Sequence, residues 1–285
     1  MAIIGGDLGV WLLKSFGGQG ERDMLNGASY DGTSKIETLL GRSFWQDIRD
    51  KVVIDFGCGP GKDSIEMARH GARKVIGVDI QERFLDAARI SAFEAGVAER
   101  CEFVTSPSER ADVIVALDSF EHFENPAEIL QIMSSMLKPD GKIIAAFGPT
   151  WYHPYGGHLF SIFPWSHLVF TEAAQCRWRS TFKKDGARRF CEVAGGLNQM
   201  TIARFRELVE ASSLEFDVFE PVPIRRLKWL ANPLTREFTT AIVRCKLRPR
   251  RAEAPALVPG LADVEAGTLQ VGTTEGAVVR VGLAE

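Results

Sequence analysis

The 285-residue sequence has few cysteines and no excess of basic residues. Its five cysteines are odd in number and form no CxxC pair, which argues against a disulfide framework and against a zinc site of that spacing. Its net charge of -3 provides no basic field that would attract DNA or RNA. The composition therefore favours a cytoplasmic protein with reduced thiols and a small-molecule substrate, and it does not indicate an oligomeric state.

The sequence also has no long apolar run, no internal repeat and no low-complexity tract. Asp7 interrupts the apolar residues near the N-terminus, and no basic leader or small-residue cleavage pattern follows, so we expect neither a signal peptide nor a membrane span. With 45% hydrophobic residues, the chain is long enough to form one sizeable α/β domain with an appended segment.

The most informative stretch that is present is a strand-to-helix corner. A short, β-branched apolar run over Val52–Phe56 predicts a strand buried on both faces, and helical spacing follows over residues 62–70. Between them, Gly57, Gly59 and Gly61 permit unusual backbone angles and let a ligand approach the bare backbone. The N-terminus of the following helix offers unpaired N–H groups to an anion. This corner predicts a loop that binds a nucleotide cofactor.

A carboxylate follows at a distance that suits such a cofactor. Residues 75–79 predict the next strand, and its last residue, Asp79, stands about 20 residues beyond the glycines, where an acidic side chain binds ribose hydroxyls. The dinucleotide fingerprint needs a glycine where Lys62 stands, which weakens an NAD-type interpretation. A P-loop needs a glycine at Phe56 and Ser or Thr at Asp63, so that interpretation fails.

The remaining pattern, Asp55-x-Gly57-x-Gly59-x-Gly61 with Asp79 downstream, resembles the first two motifs of the class I S-adenosylmethionine-dependent methyltransferases. The resemblance implies that the glycine loop wraps the amino-acid part of the cofactor and that Asp79 holds its ribose. It also implies that Asp55 fixes the loop and approaches the cofactor ammonium.

The resemblance continues after the predicted fourth strand. Residues 118–123 are similar to the acidic, often histidine-containing segment that this family places beside the methyl group. Asp118 is accordingly expected to line the methionine side of the cofactor, and Ile80 is expected to contact the cofactor next to Asp79.

The rest of the pattern alternates strands with helices. Asn125 and Pro126 favour a helix start, and the apolar face of residues 127–137 ends at a stop signal over residues 138–141. Further strands are predicted at residues 101–105, 112–117, 142–147, 214–219 and 238–247, and a further helix at residues 201–211. With the resemblance, this pattern predicts a Rossmann-like doubly wound α/β sheet of about seven strands, mostly parallel with an antiparallel edge strand.

One segment departs from the family's pattern. Members usually carry an acidic residue after the third strand that pairs with the adenine amino group, whereas this chain has a short polar connection there. Ser106, Glu109 or a backbone carbonyl are the alternatives for that contact. A shortened loop also fits a non-methylating relative.

Residues 148–200 form a long connection that carries most of the substrate information. Its clustered aromatic residues suit a half-apolar small-molecule pocket, and equally a helical cap that packs its own rings. His122, His153 and His158 are the candidate general bases, because an ordinary histidine pKa suits proton removal near neutral pH. No carboxylate or cysteine pattern completes a metal site around His153, His158 and His167.

We therefore expect an N-terminal flank or lid over residues 1–50, a methyltransferase domain over residues 51–247 with a substrate-pocket insertion over residues 148–200, and a linker and tail over residues 248–285. The expected activity is transfer of a methyl group from S-adenosylmethionine to an O or N atom of a small molecule. An NAD-type oxidoreductase and a non-methylating cofactor-binding relative remain the alternatives.

Overall fold

A seven-stranded sheet forms the centre of the described part of the chain. The computed structural model describes residues 2–17, 33–161, 163–193 and 196–250. The strands are β1 (Val52–Phe56), β2 (Lys74–Val78), β3 (Cys101–Val104), β4 (Ala111–Leu117), β5 (Leu137–Phe147), β6 (Leu214–Pro223) and β7 (Thr240–Pro249). Parts of the expected flank and tail, residues 18–32 and 251–285, lie outside the described residues.

The strands follow the order β3-β2-β1-β4-β5-β7-β6 across the sheet. Strands β1 to β5 pair in parallel, and β7 is antiparallel to both β5 and β6. The antiparallel strand therefore lies between β5 and the outermost strand β6. The predicted α/β sheet of about seven mostly parallel strands is confirmed, and its order reverses between β1 and β4, the place where open α/β sheets bind ligands.

Helices cover both faces of the sheet. In the described residues they are α1 (Gly6–Phe16), α2 (Lys35–Leu40), α3 (Phe44–Ile48), α4 (Lys62–Arg69), α5 (Glu82–Glu94), α6 (Pro126–Met136), α7 (Ser166–Val169), α8 (Glu172–Arg179), α9 (Ile202–Glu210) and α10 (Arg236–Thr239). Successive strand residues point to opposite faces, so Ile54 packs in one core with Met133, and Val53 packs in a second core with Met67. Both faces of the central strands are buried, as the unbroken apolar runs predict.

Two helix starts that the sequence indicates are capped by side chains. The side-chain amide oxygen of Asn125 accepts from the backbone N–H of Glu128 at 3.4 Å, and Pro126 occupies the first turn of α6. The Thr201 hydroxyl accepts from the backbone N–H of Arg204 at 3.0 Å and begins α9. These local hydrogen bonds explain why the boundaries could be found from sequence alone.

Strands β5, β6 and β7 differ from the prediction by more than one residue. Strand β5 begins at Leu137 rather than after the predicted turn, because Leu137 pairs with Ala111 across an irregular register and residues 138–141 remain in the strand. Strand β6 continues to Pro223, which pairs with Thr240. Strand β7 begins only at Thr240, because Phe238 belongs to the short helix α10. Long-range pairing decides the first two positions, and the preceding helix decides the third.

The insertion after β5 is a helical cap with its own small cores. Phe160, Phe190 and Leu197 pack together in one cluster. Phe170 and Trp178 pack in another cluster that also includes residues of α1. Several aromatic rings that the sequence offered for a substrate pocket are therefore core residues of this cap.

Candidate functional site

The carboxyl ends of three neighbouring strands carry the predicted cofactor residues. Gly57 follows β1, Asp79 follows β2 and Asp118 follows β4, and these strands are parallel neighbours. Parallel strands end at the same edge of a sheet, so the three residues share one edge. The candidate functional site lies there.

The loop after β1 is held by hydrogen bonds to the end of β2. The backbone N–H groups of Gly57 and Cys58 donate to the carbonyl oxygen of Val78 at 2.8 and 3.1 Å. Gly57 and Gly59 have φ angles of +82° and +50°. A Cβ added at Gly57 would have Ser119 as its nearest neighbour at 4.0 Å, and a Cβ added at Gly59 would meet nothing within 4 Å. The loop thus keeps bare backbone beside open space, which suits the close approach of a ligand.

Gly61 serves packing instead. Its φ is +79°, and an added Cβ would lie 2.7 Å from the Cβ of Ala88 and 3.0 Å from the Phe103 ring. We expect Gly61→Ala to lower the free energy of unfolding by about 2–5 kcal/mol, the sum of backbone strain and overpacking. Urea unfolding measures the change.

Gly71→Ala is the matched control for that substitution. Gly71 has a φ of +96°, but an added Cβ would meet nothing within 4 Å. Only the backbone strain of about 1–3 kcal/mol should remain there. Equal losses in the two variants would contradict the packing role of Gly61.

Asp79 is oriented by two backbone N–H groups. Its Oδ2 accepts from Gly59 at 3.0 Å and its Oδ1 accepts from Gln81 at 2.8 Å. The carboxylate is thereby fixed against the glycine loop, while further lone pairs on both oxygens remain available to a ligand. Ile80 follows it and is 91% exposed, so an apolar side chain stands beside the carboxylate.

Asp55 is a buried brace between β1 and α4. Its Oδ2 accepts from the Ser64 hydroxyl at 2.5 Å. Burial raises the pKa of Asp55 to about 7, and the neighbouring Asp63 carboxylate acts in the same direction. The contact accounts for the expected fixing of the loop; the expected approach to a cofactor ammonium stays a prediction.

Asp118 is paired with a lysine from the N-terminal flank. The Lys35 ammonium in α2 lies 3.1 Å from Asp118 Oδ2 and 3.4 Å from Asp63 Oδ2. Burial raises the pKa of Asp118, although the Lys35 charge opposes this shift. Lys35 could not be selected from the sequence, because the contact joins a short helix to a loop far along the chain.

The connection after β3 separates two of the three alternatives for the adenine contact. Ser106 is exposed just beyond the end of β3. Glu109 instead accepts from the Lys74 ammonium at 2.7 Å, and Lys74 begins β2 at the opposite edge of the sheet. Glu109 is therefore wrongly placed for the contact, and Ser106 and a backbone carbonyl stay predictions.

The three candidate bases lie in one group of histidines. The rings of His122 and His158 pack edge to face with their centroids 5.3 Å apart. Nδ1 of His122 lies 2.7 Å from the carbonyl oxygen of Gly196. A carbonyl oxygen only accepts, so we assign the proton to Nδ1 of a neutral His122, which leaves a lone pair on Nε2.

His153 and His158 are less suited to remove a proton. Nδ1 of His153 accepts from the backbone N–H of Tyr155 at 3.0 Å, so the proton of its neutral ring is on Nε2. Burial lowers the pKa of His153 to about 4, and burial together with the neighbouring histidines lowers the pKa of His158 to about 3. Both rings are neutral at pH 7 and weakly basic.

Glu121 is a buried carboxyl group in the same region that the sequence analysis did not select. Its Oε1 accepts from the backbone N–H of Gly148 at 3.2 Å, and its Oε2 has no hydrogen-bond partner among the described residues. Burial, followed by the Asp118 carboxylate, raises the pKa of Glu121 to about 8. At neutral pH the group is mostly protonated and uncharged.

The raised pKa of Glu121 predicts a pH-dependent stability. Between the ordinary glutamate pKa and about 8, the folded protein binds a proton that the unfolded chain has released, so stability falls as pH rises. Urea unfolding at a series of pH values should show this decline. In Glu121→Gln the total loss of unfolding free energy over this pH range should be smaller, by a few kcal/mol at most. Asp55 contributes in the same direction, so a residual slope is expected. A slope that Glu121→Gln leaves unchanged would contradict the assignment.

Further buried polar atoms lie on the segments around Glu121. The hydroxyl oxygens of Ser119 and Thr150 and the side-chain oxygen of Asn198 have no hydrogen-bond partner among the described residues. Asn198 also donates to the carbonyl oxygens of Phe120 and Phe123 at 2.6 and 2.8 Å. Unpartnered buried acceptors are costly, so these atoms are candidates for ligand contacts.

Comparisons with known proteins provide independent information. The sequence matches the family described as "Methyltransferase domain" over residues 29–212. A ubiquinone biosynthesis O-methyltransferase of Neisseria meningitidis serogroup C (strain 053442) is 36% identical over 157 residues, which cover 52% of this chain and 65% of that protein. A ribosomal protein L11 methyltransferase of Haemophilus influenzae (strain PittEE) is 38% identical over 102 residues, 34% of this chain and 33% of that protein.

A solved structure is also similar. It is a putative S-adenosylmethionine-dependent methyltransferase from Listeria monocytogenes with 15% sequence identity and a TM-score of 0.48, and the match covers 72% of this chain and 93% of that chain. Among the two sequence relatives, the chain spans just under two thirds of the length of the Neisseria protein and a third of the length of the Haemophilus protein.

Proposed function

The chain belongs to the class I family of S-adenosylmethionine-dependent methyltransferases, and from that membership we propose that the protein methylates an oxygen or nitrogen atom of a small molecule. One observation carries the proposal. The glycine loop, Asp79 and Asp118 share the carboxyl edge of the sheet, and His122 follows Asp118 within the same segment. Cofactor and acceptor groups would thus meet at one place.

The chain's residues fit the cofactor. The open side of Gly57 and Gly59 leaves room for a ligand against the backbone. The Asp79 carboxylate, already fixed by two N–H groups, provides acceptors for the two hydroxyls of a ribose. Asp118 provides a carboxylate to the cationic, methionine-derived part, and the exposed Ile80 side chain provides an apolar surface for a base.

The bound cofactor supplies an activated methyl group, so the protein has to align the acceptor, exclude water and accept a proton. We assign proton acceptance to Nε2 of His122, because the Gly196 carbonyl holds the proton of the neutral ring on Nδ1. His158 packs against His122 and is neutral at pH 7, so it does not oppose the positive charge that His122 gains.

We favour a hydroxyl as the acceptor group. A hydroxyl needs a base at neutral pH, and the site provides one in His122. The name of the Neisseria relative, a ubiquinone biosynthesis O-methyltransferase, agrees with an oxygen acceptor. We also place the protein in the cytoplasm; its five cysteines are all free thiols in the structure, which supports a reducing compartment.

Calorimetry with S-adenosylmethionine, S-adenosylhomocysteine and NAD tests the cofactor. Family membership and Lys62 both disfavour the oxidoreductase alternative, so we expect the first two ligands to bind and NAD not to bind. Preferential binding of NAD would overturn the proposal.

Formation of S-adenosylhomocysteine with a set of phenolic, hydroxylated and amine-containing metabolites tests the transfer itself. We expect turnover with hydroxylated compounds first. Tight cofactor binding without turnover on any acceptor class would favour the non-methylating alternative.

A further inference from the structure

The loop that joins β6 to β7 exposes large apolar side chains. Trp229 is 80% exposed and Leu234 is 93% exposed, and Leu230 and Phe238 are exposed to a lesser degree. Exposed apolar side chains that occur singly need no explanation, but several in one loop indicate an interaction surface. We define residues 224–239 as the β6–β7 loop.

The same loop is strongly basic. Residues 224–239 contain four basic residues and one acidic residue, Glu237, in a chain whose net charge is -3. Arg225, Arg226 and Lys228 are exposed, and the structure gives their side chains no hydrogen bond or ion pair with any described residue. The nearby Glu237 is engaged elsewhere, since it accepts from the backbone N–H groups of Ile202 and Ala203 at 3.1 and 2.8 Å. The cations of the loop are therefore available to an anionic partner.

Hydrogen bonds within the loop order its backbone around the exposed apolar residues. The Asn232 side-chain oxygen accepts from the backbone N–H groups of Leu234 and Thr235 at 2.9 and 3.2 Å. The Thr235 hydroxyl donates to the carbonyl oxygen of Leu230 at 2.5 Å. The apolar residues thus lie on an ordered turn.

The loop lies at the edge of the sheet that carries the functional site. Phe147, the last residue of β5, pairs with Val243 near the start of β7, and Pro223 pairs with Thr240. The β6–β7 loop therefore emerges beyond the carboxyl end of β5. The Phe238 ring lies 5.2 Å from the ring of Tyr152 in the insertion, so the loop also contacts the cap.

We propose that the β6–β7 loop binds the surface of a membrane that contains anionic lipids. Tryptophan and leucine side chains insert at the boundary of headgroups and acyl chains, and neighbouring Arg and Lys side chains pair with lipid phosphates. The binding is peripheral, because no helix among the described residues is long and apolar enough to cross a bilayer. This inference goes beyond the proposed methyl transfer and does not depend on it.

Vesicle co-sedimentation of the full chain tests the inference. The probes are vesicles of phosphatidylcholine alone and vesicles in which part of that lipid is replaced by phosphatidylglycerol. We expect binding to the second kind, with weaker binding as salt increases. The apolar variant Trp229→Ser/Leu234→Ser and the charge variant Arg225→Gln/Arg226→Gln/Lys228→Gln should each lose most of this binding, the charge variant by about a hundredfold.

Two control variants match these changes elsewhere on the surface. Ile90→Ser/Phe93→Ser removes two exposed apolar side chains from α5. Lys183→Gln/Lys184→Gln/Arg188→Gln removes three exposed positive charges from the cap. Both controls should bind anionic vesicles like the unmodified protein. Calorimetry with S-adenosylmethionine reports separately whether each variant keeps a folded cofactor site.

Several results would overturn the inference. They are binding to neither kind of vesicle, equal binding to both kinds, and anionic binding that the loop variants and the controls retain equally. Sedimentation velocity without lipid adds a further outcome: a dimer that the loop variants abolish, with no vesicle binding, would assign the surface to a second copy of the chain.

Discussion

Replacement of Asp79 by Ala is expected to weaken the binding of S-adenosylmethionine by about a hundredfold or more. Each hydrogen bond to a charged group contributes about 1.5–3 kcal/mol, and the proposed role gives Asp79 two such bonds to the ribose hydroxyls. The substitution also removes the acceptors of the Gly59 and Gln81 N–H groups, so the glycine loop loses one of its attachments, whereas the backbone bonds of Gly57 and Cys58 to Val78 remain. Isothermal titration calorimetry measures the affinity.

Two further variants separate the ribose contact from support of the loop. Asp79→Asn keeps the shape of the side chain but only one acceptor oxygen, so its affinity should lie between those of the unmodified protein and Asp79→Ala. Asp140→Ala removes an exposed carboxylate near the opposite, amino-terminal end of β5 and should leave affinity unchanged. Full cofactor affinity in Asp79→Ala, with a melting curve that shows a folded protein, would remove the basis of the proposed cofactor site.

The parts of the fold that could be predicted are those that neighbouring residues determine. The apolar run Val52–Phe56, the three alternate glycines and the Asn125 cap each act within a few residues, and the structure has strand, loop and helix where they predict them. The start of β5 could not be found in this way, because it depends on pairing between Leu137 and Ala111 across the sheet. Turn residues in the sequence do not end a strand that a neighbour continues to pair with.

The aromatic residues of the insertion show a second limit. Composition alone does not separate a ring that lines a pocket from a ring that fills a core, because both environments favour large apolar side chains. Phe170 and Trp178 are core residues because α8 packs beside α1, a contact between segments far apart in the sequence. Lys35 was not predicted as a site residue for the same reason, because only the folded chain brings it to Asp118.

The proposed catalytic role of His122 depends on the structure. The sequence offered three histidines as equal candidates for the general base. The hydrogen bonds of His122 and His153 distinguish these two rings. His122 reaches the Gly196 carbonyl, 74 residues away in the sequence, whereas His153 accepts from Tyr155 two residues away. The first contact leaves a lone pair on Nε2 of His122, whereas the second places the proton of His153 on Nε2. In the neutral rings, Nε2 of His122 therefore accepts a hydrogen bond and Nε2 of His153 donates one.

His122→Ala is expected to reduce kcat for a hydroxyl acceptor by about 100-fold to 10,000-fold, the usual contribution of a general base. The affinity for S-adenosylmethionine should not change, because the proposed cofactor contacts are made by other residues. His153→Ala, which removes a weakly basic ring with an occupied Nδ1, should reduce kcat far less. Steady-state kinetics on an identified acceptor, together with calorimetry of the cofactor, measures both quantities.

Two additional readouts distinguish proton transfer from a structural role of His122. The kcat of His122→Ala should rise with pH, because the acceptor hydroxyl then ionises without a base, and added imidazole should restore part of the activity. His70→Ala provides the matched histidine control, since His70 stacks on Trp45 with ring centroids 3.8 Å apart and lies outside the site. A loss of activity in His122→Ala that neither higher pH nor imidazole relieves would show that the ring supports the site without accepting the proton.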